Sequence, residues 1–209
     1  RIRESEVETA VMESKETQAV HDVTELERQY LLQTYARLPV VIEKGKDVFV
    51  QDVNGKKYLD MIAGIGVNAL GYAHPRMVKV VRDQVGKLTH VSNLYYNQYQ
   101  GPLAKKLAEL SGLARVFFSN SGTEAIDGAI KFARAHGHKV GGEAKYKLVA
   151  AHNSFHGRTY GGMSLTSTPK YRDDFKPLLD GVAFVPLNDI EAQRCNRRDL
   201  RRVPGDDPG

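Results

Sequence analysis

A short run of small polar residues lies between an apolar stretch and a helical pattern, within Phe117–Ala125. Ser121, Gly122 and Thr123 fall where a helix is predicted to begin, so their hydroxyls and backbone N–H groups would lie at the positive end of the helix dipole. Such a turn can hold a phosphate without a dedicated lysine. The same residues also suit a helix N-cap, because Ser or Thr ahead of a first-turn Glu, here Glu124, commonly begins a helix. Both interpretations stay open, and they are compatible because the same donors serve both.

A second polar loop, Asn153–Thr159, follows the next predicted strand and so falls at the same carboxyl edge of the predicted sheet. Open α/β sheets bind their ligands at that edge. Phe155 offers a flat face for a heteroaromatic ring, and Arg158 offers a planar fork for a carboxylate. A solvated surface arginine is the alternative interpretation. His156 has no Ser or Cys partner with which to form a triad, so we assign it no catalytic role.

Several other kinds of site are excluded by spacing and composition. The histidines at 136 and 138 and at 152 and 156 lack the spacing or the acidic companion of a metal site, so no metal is predicted. Neither a G-x-G-x-x-G after a strand nor a Walker-type loop occurs. The net charge is +5, and Gln193–Gly209, with five Arg against three Asp, contributes +2 of it, so the rest of the chain is only modestly basic at +3. No basic stripe with interleaved aromatic residues is present, so no nucleic-acid partner is expected.

The setting expected from the composition is cytoplasmic. No apolar run approaches the roughly 18 residues of a membrane span, so no membrane partner is expected. The single cysteine, Cys195, indicates neither a disulfide framework nor a thiolate metal site.

The elements that must position these residues follow from apolar spacing. A helix is predicted from Thr24, ended by Pro39, and a β-hairpin around Asn54–Gly55. Met61–Leu70 is predicted to be a loop, and helices are predicted from Pro75 and after Pro102, the second stopping at Gly112. The remaining chain is predicted to alternate: strand Arg115–Phe118, helix Gly122–His136, strand Lys147–Ala151 and strand Val182–Val185. Short apolar strands alternating with helices predict an α/β fold with a mainly parallel sheet.

Six separated segments together resemble the class III pyridoxal-phosphate-dependent aminotransferases, most of all the acetylornithine aminotransferases. The resemblance covers about residues 25 to 192, in family order and spacing, and its segments are Asp60–Gly71 with His74–Pro75, His90–Tyr96, Ser121–Ala125, Ser154–Thr159, Pro169–Tyr171 and Val185–Asp189. It implies the type I aminotransferase fold, here an N-terminal segment and part of the large-domain sheet. It further implies that Gly122 and Thr123 bind the phosphate of pyridoxal 5'-phosphate (PLP), that Phe155 stacks on its ring, and that Arg158 holds the substrate α-carboxylate.

The resemblance also implies an activity and a partner. Family members work as homodimers and move the terminal amino group of N-acetylornithine to 2-oxoglutarate in arginine biosynthesis. Another ω-aminotransferase, acting on ornithine or 4-aminobutyrate, is the first alternative. A non-catalytic fragment that dimerises with an intact copy is the second.

The expected domain organisation departs from the family at its end. We expect a mobile extension over residues 1–22, a helix and hairpin of the small domain over 23–74, and a partial PLP-binding large domain over 75–192. The tail at 193–209 has no apolar period and is interpreted as a frame-shifted segment. No lysine in the chain lies in a motif like that of the family's Schiff-base lysine, so this polypeptide is expected to be inactive.

Overall fold

The computed structural model of the chain describes residues 20–192, which divide into one unit ending at Tyr96 and a second beginning at Asn97. The predicted aberrant tail lies outside the described residues, as do positions 1–19 of the predicted extension. The domain boundary expected after residue 74 stays a prediction. Within the described part of the chain, no helix is long and apolar enough to span a membrane.

The first unit begins with helix α1, which the structure describes over residues 20–30. Its predicted continuation toward Pro39 is wrong. The Leu31 N–H still donates to the Glu27 carbonyl at 2.9 Å, but the side-chain amide of Gln33 donates to the carbonyls of Glu27 and Leu31, at 2.9 and 2.7 Å. The Gln33 side chain therefore bonds to carbonyls beside the helix end, where the last carbonyls of a helix have no backbone partner within it.

A three-stranded antiparallel sheet follows, in the order β1 (Ile42–Lys46), β2 (Phe49–Asp52) and β3 (Lys57–Leu59). The predicted hairpin is confirmed, with Gly55 at a φ of 81° in the turn. Buried Asp52 organises the turn, because one carboxylate oxygen accepts from the N–H groups of Asn54 and Lys56 at 3.0 and 2.9 Å. The other oxygen accepts from the Tyr58 hydroxyl at 2.7 Å. The Tyr58 hydroxyl is the main cause that lowers the pKa of Asp52 below its usual value.

Two helical segments complete the first unit. All four residues of the short α2 (Ala63–Gly66) have positive φ, between 50° and 83°, so the glycine-rich stretch is irregular and contains no strand, in agreement with the predicted loop. Helix α3 (Pro75–Val85) begins with Pro75 in its first turn, as predicted. A proline is tolerated there because the first N–H groups of a helix have no partner within it.

The second unit contains the long helix α5 and a small parallel sheet. Helix α4 (Gln100–Ser111) ends at Gly112, whose φ of 71° confirms the predicted stop. The remaining elements are α5 (Gly122–Gly141), β4 (Leu148–Ala151), α6 (Tyr160–Ser164) and β5 (Val182–Val185). Strands β4 and β5 pair in parallel, and short 3₁₀ turns span Pro169–Tyr171 and Asp173–Phe175. The fold is therefore mixed α/β, and its parallel sheet has two strands among the described residues.

The strand predicted at Arg115–Phe118 is wrong, since the structure assigns no strand there. A strand needs a hydrogen-bonded neighbour, and none pairs with this segment among residues 20–192. Instead, Phe117 contacts Phe132 of α5 edge to face, with ring centroids 5.6 Å apart.

The core of the second unit joins α5 to the sheet and to the end of α6. Ile130, Ala150 and Leu165 are buried together. Partly buried apolar side chains of both strands and of the flanking segments surround them: Ile126, Leu148, Leu179, Val182 and Phe184. This packing fixes the direction in which α5 presents its first turn.

Candidate functional site

The first turn of α5 has the geometry of a capped helix. Ser121 has extended backbone angles, and its hydroxyl accepts from the Glu124 N–H at 3.3 Å. The same hydroxyl donates to the Glu124 carboxylate at 2.7 Å. The capping interpretation is therefore confirmed. The donor proton of Ser121 is directed at Glu124, so a phosphate contact by this hydroxyl stays a prediction.

The backbone at the start of α5 is open to a ligand. The N–H groups of Gly122 and Thr123, in the first turn, have no acceptor within the helix, and this helix is 20 residues long. A Cβ added to Gly122 would meet no atom within 4 Å, so the space beside this residue is open. The donors and the space fit a phosphate group, which binds well at a helix N-terminus.

Glu124 adds a negative charge to the same helix end. Hydrogen bonds from Ser121 and then from Asn120 lower the pKa of the Glu124 carboxyl below its usual value, so it is ionised at neutral pH. A carboxylate stabilises this end of the helix. An anion bound to the N–H groups of Gly122 and Thr123 would lie at the same helix end as the Glu124 carboxylate.

The loop that contains Phe155 and Arg158 is hydrogen-bonded to the start of α5. The hydroxyls of Thr123 and Thr159 lie 2.7 Å apart and are hydrogen-bonded, and the Thr159 N–H donates to the Thr123 hydroxyl at 3.3 Å. Thr159 also caps α6, because its hydroxyl accepts from the Gly162 N–H at 3.3 Å. Sequence reasoning missed Thr159. The sequence signal that could have identified it is a Thr just ahead of Tyr160-Gly161-Gly162, because Thr is a preferred N-cap residue and indicates a helix start.

Glycines allow the loop and α6 to approach α5 closely. A Cβ on Gly157, whose φ is 116°, would overlap the side chain of Thr123. A Cβ on Gly161 would overlap the carboxylate of Asp127, and one on Gly162 would lie 2.8 Å from the Thr123 hydroxyl oxygen. No side chain larger than hydrogen fits at these positions while the present contacts are kept.

Phe155 and Arg158 lie side by side on this loop, and both are exposed. The Phe155 ring is 60% exposed, so it has an accessible surface for another ring. The guanidinium carbon of Arg158 lies 5.4 Å from the centroid of Phe155 and 4.5 Å from that of Tyr171. Among residues 20–192, no carboxylate forms an ion pair with Arg158 and no group accepts a hydrogen bond from it. Its N–H donors are thus available to a carboxylate ligand.

The structure therefore brings the two predicted parts of the site to adjoining segments, with Thr123 and Thr159 as the link. His156 is half-buried, and its backbone N–H donates to the Thr166 hydroxyl at 3.2 Å. Within the described ranges, no three His, Cys, Asp or Glu side chains form a group that could hold a metal ion. The donor set fits a phosphorylated aromatic cofactor. The individual roles of Ser121, Gly122, Thr123, Phe155 and Arg158 stay predictions.

Comparison with known proteins shows which family the chain resembles. Residues 30–203 match the family model described as aminotransferase class-III, a match that reaches beyond Ala192 into the segment predicted to be frame-shifted. The acetylornithine aminotransferase of Methanocaldococcus jannaschii is 53% identical over 168 residues, which cover 80% of this chain and 42% of that relative. The chain thus spans less than half the length of this relative.

Solved structures of aminotransferases match the fold of this chain over part of their length. The ornithine aminotransferase of Toxoplasma gondii ME49 superposes with a TM-score of 0.80 at 32% identity, covering 86% of this chain and 43% of that one. A second structure of the T. gondii enzyme, with a TM-score of 0.79 at 32% identity and the same coverage, has PLP at partial occupancy in its active site.

Proposed function

The chain belongs to the class III aminotransferases, and from this premise we propose that its residues bind PLP and the substrate carboxylate in the transfer of the terminal amino group of N-acetylornithine to 2-oxoglutarate. The observation that carries the proposal is the pair of hydrogen bonds between Thr123 and Thr159. They join a helix N-terminus suited to phosphate to a loop with an exposed ring and an arginine free of acidic partners among the described residues. Those are the three kinds of group that this cofactor and an amino-acid substrate require.

Each residue has a separate task in this proposal. The backbone N–H groups of Gly122 and Thr123 bind the phosphate, with Ser121 at the same turn. Phe155 packs against the pyridine ring and excludes water from one of its faces. Arg158 orients the substrate by binding its α-carboxylate through two parallel N–H groups. When bound, PLP supplies the electron-withdrawing ring that amino transfer needs.

N-acetylornithine is the proposed amino donor because the acetylornithine aminotransferase of M. jannaschii is 53% identical to this chain. Ornithine is the second candidate, since 86% of this chain superposes on part of the T. gondii ornithine aminotransferase at 32% identity. The homodimer implied by the family resemblance is also proposed.

An exchange of segments tests the proposal. The 168 aligned residues of this chain would replace their counterparts in the M. jannaschii enzyme. We expect the chimera to transfer the amino group of N-acetylornithine to 2-oxoglutarate faster than those of ornithine and 4-aminobutyrate. A preference for 4-aminobutyrate or ornithine would contradict the proposed donor, and a folded, inactive chimera would contradict the proposed function.

Arg158→Lys in the same chimera tests the carboxylate role. We expect kcat/KM to fall about 10- to 100-fold, because a bidentate charged hydrogen bond is lost while the charge stays. Arg115→Lys is the matched control, since Arg115 is exposed and lies outside the site. Equal effects of the two substitutions would contradict the role.

The 209-residue chain itself is proposed to be inactive. None of its lysines lies in a motif like that of the family's Schiff-base lysine, and without that lysine both the covalent bond to the cofactor and the base for proton transfer are missing. We expect no amino transfer when PLP and both substrates are added to the purified chain. Turnover that survives removal of contaminating transaminases would overturn this view.

A further inference from the structure

The contact between Arg158 and Tyr171 is closer than the contact between Arg158 and Phe155. The guanidinium carbon lies 4.5 Å from the Tyr171 ring centroid and 5.4 Å from the Phe155 ring centroid. A guanidinium within about 6 Å of a ring face is attracted to it. Tyr171 is separated from Arg158 by 12 residues of chain and belongs to a different element, the 3₁₀ turn Pro169–Tyr171.

The turn that presents Tyr171 is anchored to the buried part of the unit. Arg172, the next residue, donates to the carbonyl of buried Thr166 at 3.3 Å, and its guanidinium lies 4.9 Å from the ring of Phe184. Phe184 is on β5 and packs against the core cluster. The Tyr171 ring is therefore held by a fixed element, whereas Arg158 is on an exposed loop.

We propose that Tyr171 is a positioning residue for Arg158. Its ring holds the guanidinium beside Phe155 and leaves the N–H donors directed to a ligand. An arginine side chain loses rotamer entropy when it binds a carboxylate. A side chain already held by a ring loses less of it, and so binds more tightly. The inference rests on the proposed carboxylate-binding role of Arg158.

The ring, and not the hydroxyl, is the active part of Tyr171. No described residue forms a hydrogen bond with the Tyr171 hydroxyl. Tyr171→Phe is therefore expected to keep the Arg158 guanidinium in place, whereas Tyr171→Leu is expected to release it. Phe175→Leu is the matched control, because Phe175 is an exposed aromatic residue of the neighbouring 3₁₀ turn and no cation–ring contact joins it to Arg158.

The experiment uses the 209-residue chain labelled with ¹⁵N and titrated with 2-oxoglutarate and, separately, with inorganic phosphate. The Arg158 side-chain Nε–Hε signal, assigned by its loss in Arg158→Lys, reports both the ring contact and the carboxylate. In Tyr171→Leu we expect this signal to move toward that of a solvated arginine, and the Kd for 2-oxoglutarate to rise about two- to fivefold. Tyr171→Phe and Phe175→Leu are expected to match the parent chain, and the phosphate Kd is expected to stay unchanged throughout.

An unchanged 2-oxoglutarate Kd in Tyr171→Leu would overturn the positioning role and leave the proposed function intact. Equal weakening of phosphate and 2-oxoglutarate binding would also overturn it, because the substitution would then act through the fold. If 2-oxoglutarate does not shift the Arg158 signal in the parent chain, the proposed role of Arg158 fails, and the inference fails with it.

Discussion

Gly157→Ala is expected to separate the two parts of the candidate site. Gly157 has a φ of 116°, and a Cβ there would overlap the side chain of Thr123 and lie 3.0 Å from its Cα. Holding an alanine at such a backbone angle costs about 1–3 kcal/mol. Forcing an extra methyl into a closely packed contact costs about 1–3 kcal/mol more. The free energy of unfolding should therefore fall by about 2–6 kcal/mol.

Urea denaturation of the purified chain, followed by far-UV circular dichroism, measures this loss. With an m-value of about 2 kcal/mol per molar urea, the midpoint should fall by about 1 M or more. Gly101→Ala is the matched control, because its Cβ would meet no atom within 4 Å and Gly101 is in helix α4. That substitution should be neutral or stabilising by about 0.4–1 kcal/mol.

A second substitution tests the stated cause. Thr123→Gly removes the side chain that the new methyl group would meet. This substitution should therefore lower the free energy of unfolding by less in the Gly157→Ala background than in the parent chain. The difference should be at least about 0.5 kcal/mol, as expected for residues in contact. A Gly157→Ala midpoint equal to that of the parent, or strictly additive effects of the two substitutions, would refute the reasoning.

Three further predictions concern the cap, the core and the response to acid. Ser121→Ala should lower the free energy of unfolding by about 1 kcal/mol and raise the pKa of Glu124, which NMR titration would detect; an unchanged pKa would contradict the cap. Ile130→Ala should cost about 2–5 kcal/mol in urea denaturation, and a loss below 1 kcal/mol would contradict its place in the core. Since the pKa of Asp52 is lowered on folding, its stabilising effect is present above the unfolded pKa of about 3.9 and is lost as pH falls through the folded value. Asp52→Asn should therefore flatten the acid side of the stability profile, and an unaltered profile would refute this.

The sequence predicted the elements whose signals are local. Gly55 in a turn, Pro75 in a first helical turn and Gly112 at a helix end each act through their own backbone angles, and the structure confirms all three. The strand predicted at Arg115–Phe118 is absent. Apolar spacing alone could not reveal this, because apolar residues form a strand only where a partner strand is available. Helix α1 ends at residue 30, and the side-chain bonds that Gln33 makes beside this end are not visible in apolar spacing.

The candidate site was predictable to a similar degree. The helix start at Ser121, Gly122 and Thr123 was predictable because a helix start has a local signature, and the structure adds that the Ser121 hydroxyl donates to the Glu124 carboxylate. The link from Thr123 to Thr159 was not predictable, since it joins residues 36 positions apart. The contact of Arg158 with Tyr171 was missed for the same physical reason.

The close approach of the loop and α6 to helix α5 also limits which amino acids can replace the residues of this region. At positions 157, 161 and 162 a side chain would strike Thr123, Asp127 or the carbonyl of His156, so a saturation library should return almost only glycine there. The neighbouring side chains of Phe155 and Tyr160 are 60% and 62% exposed and meet no such barrier. The frame of the loop is therefore set by packing, whereas its exposed side chains are limited by what they bind, so binding can change here without refolding the scaffold.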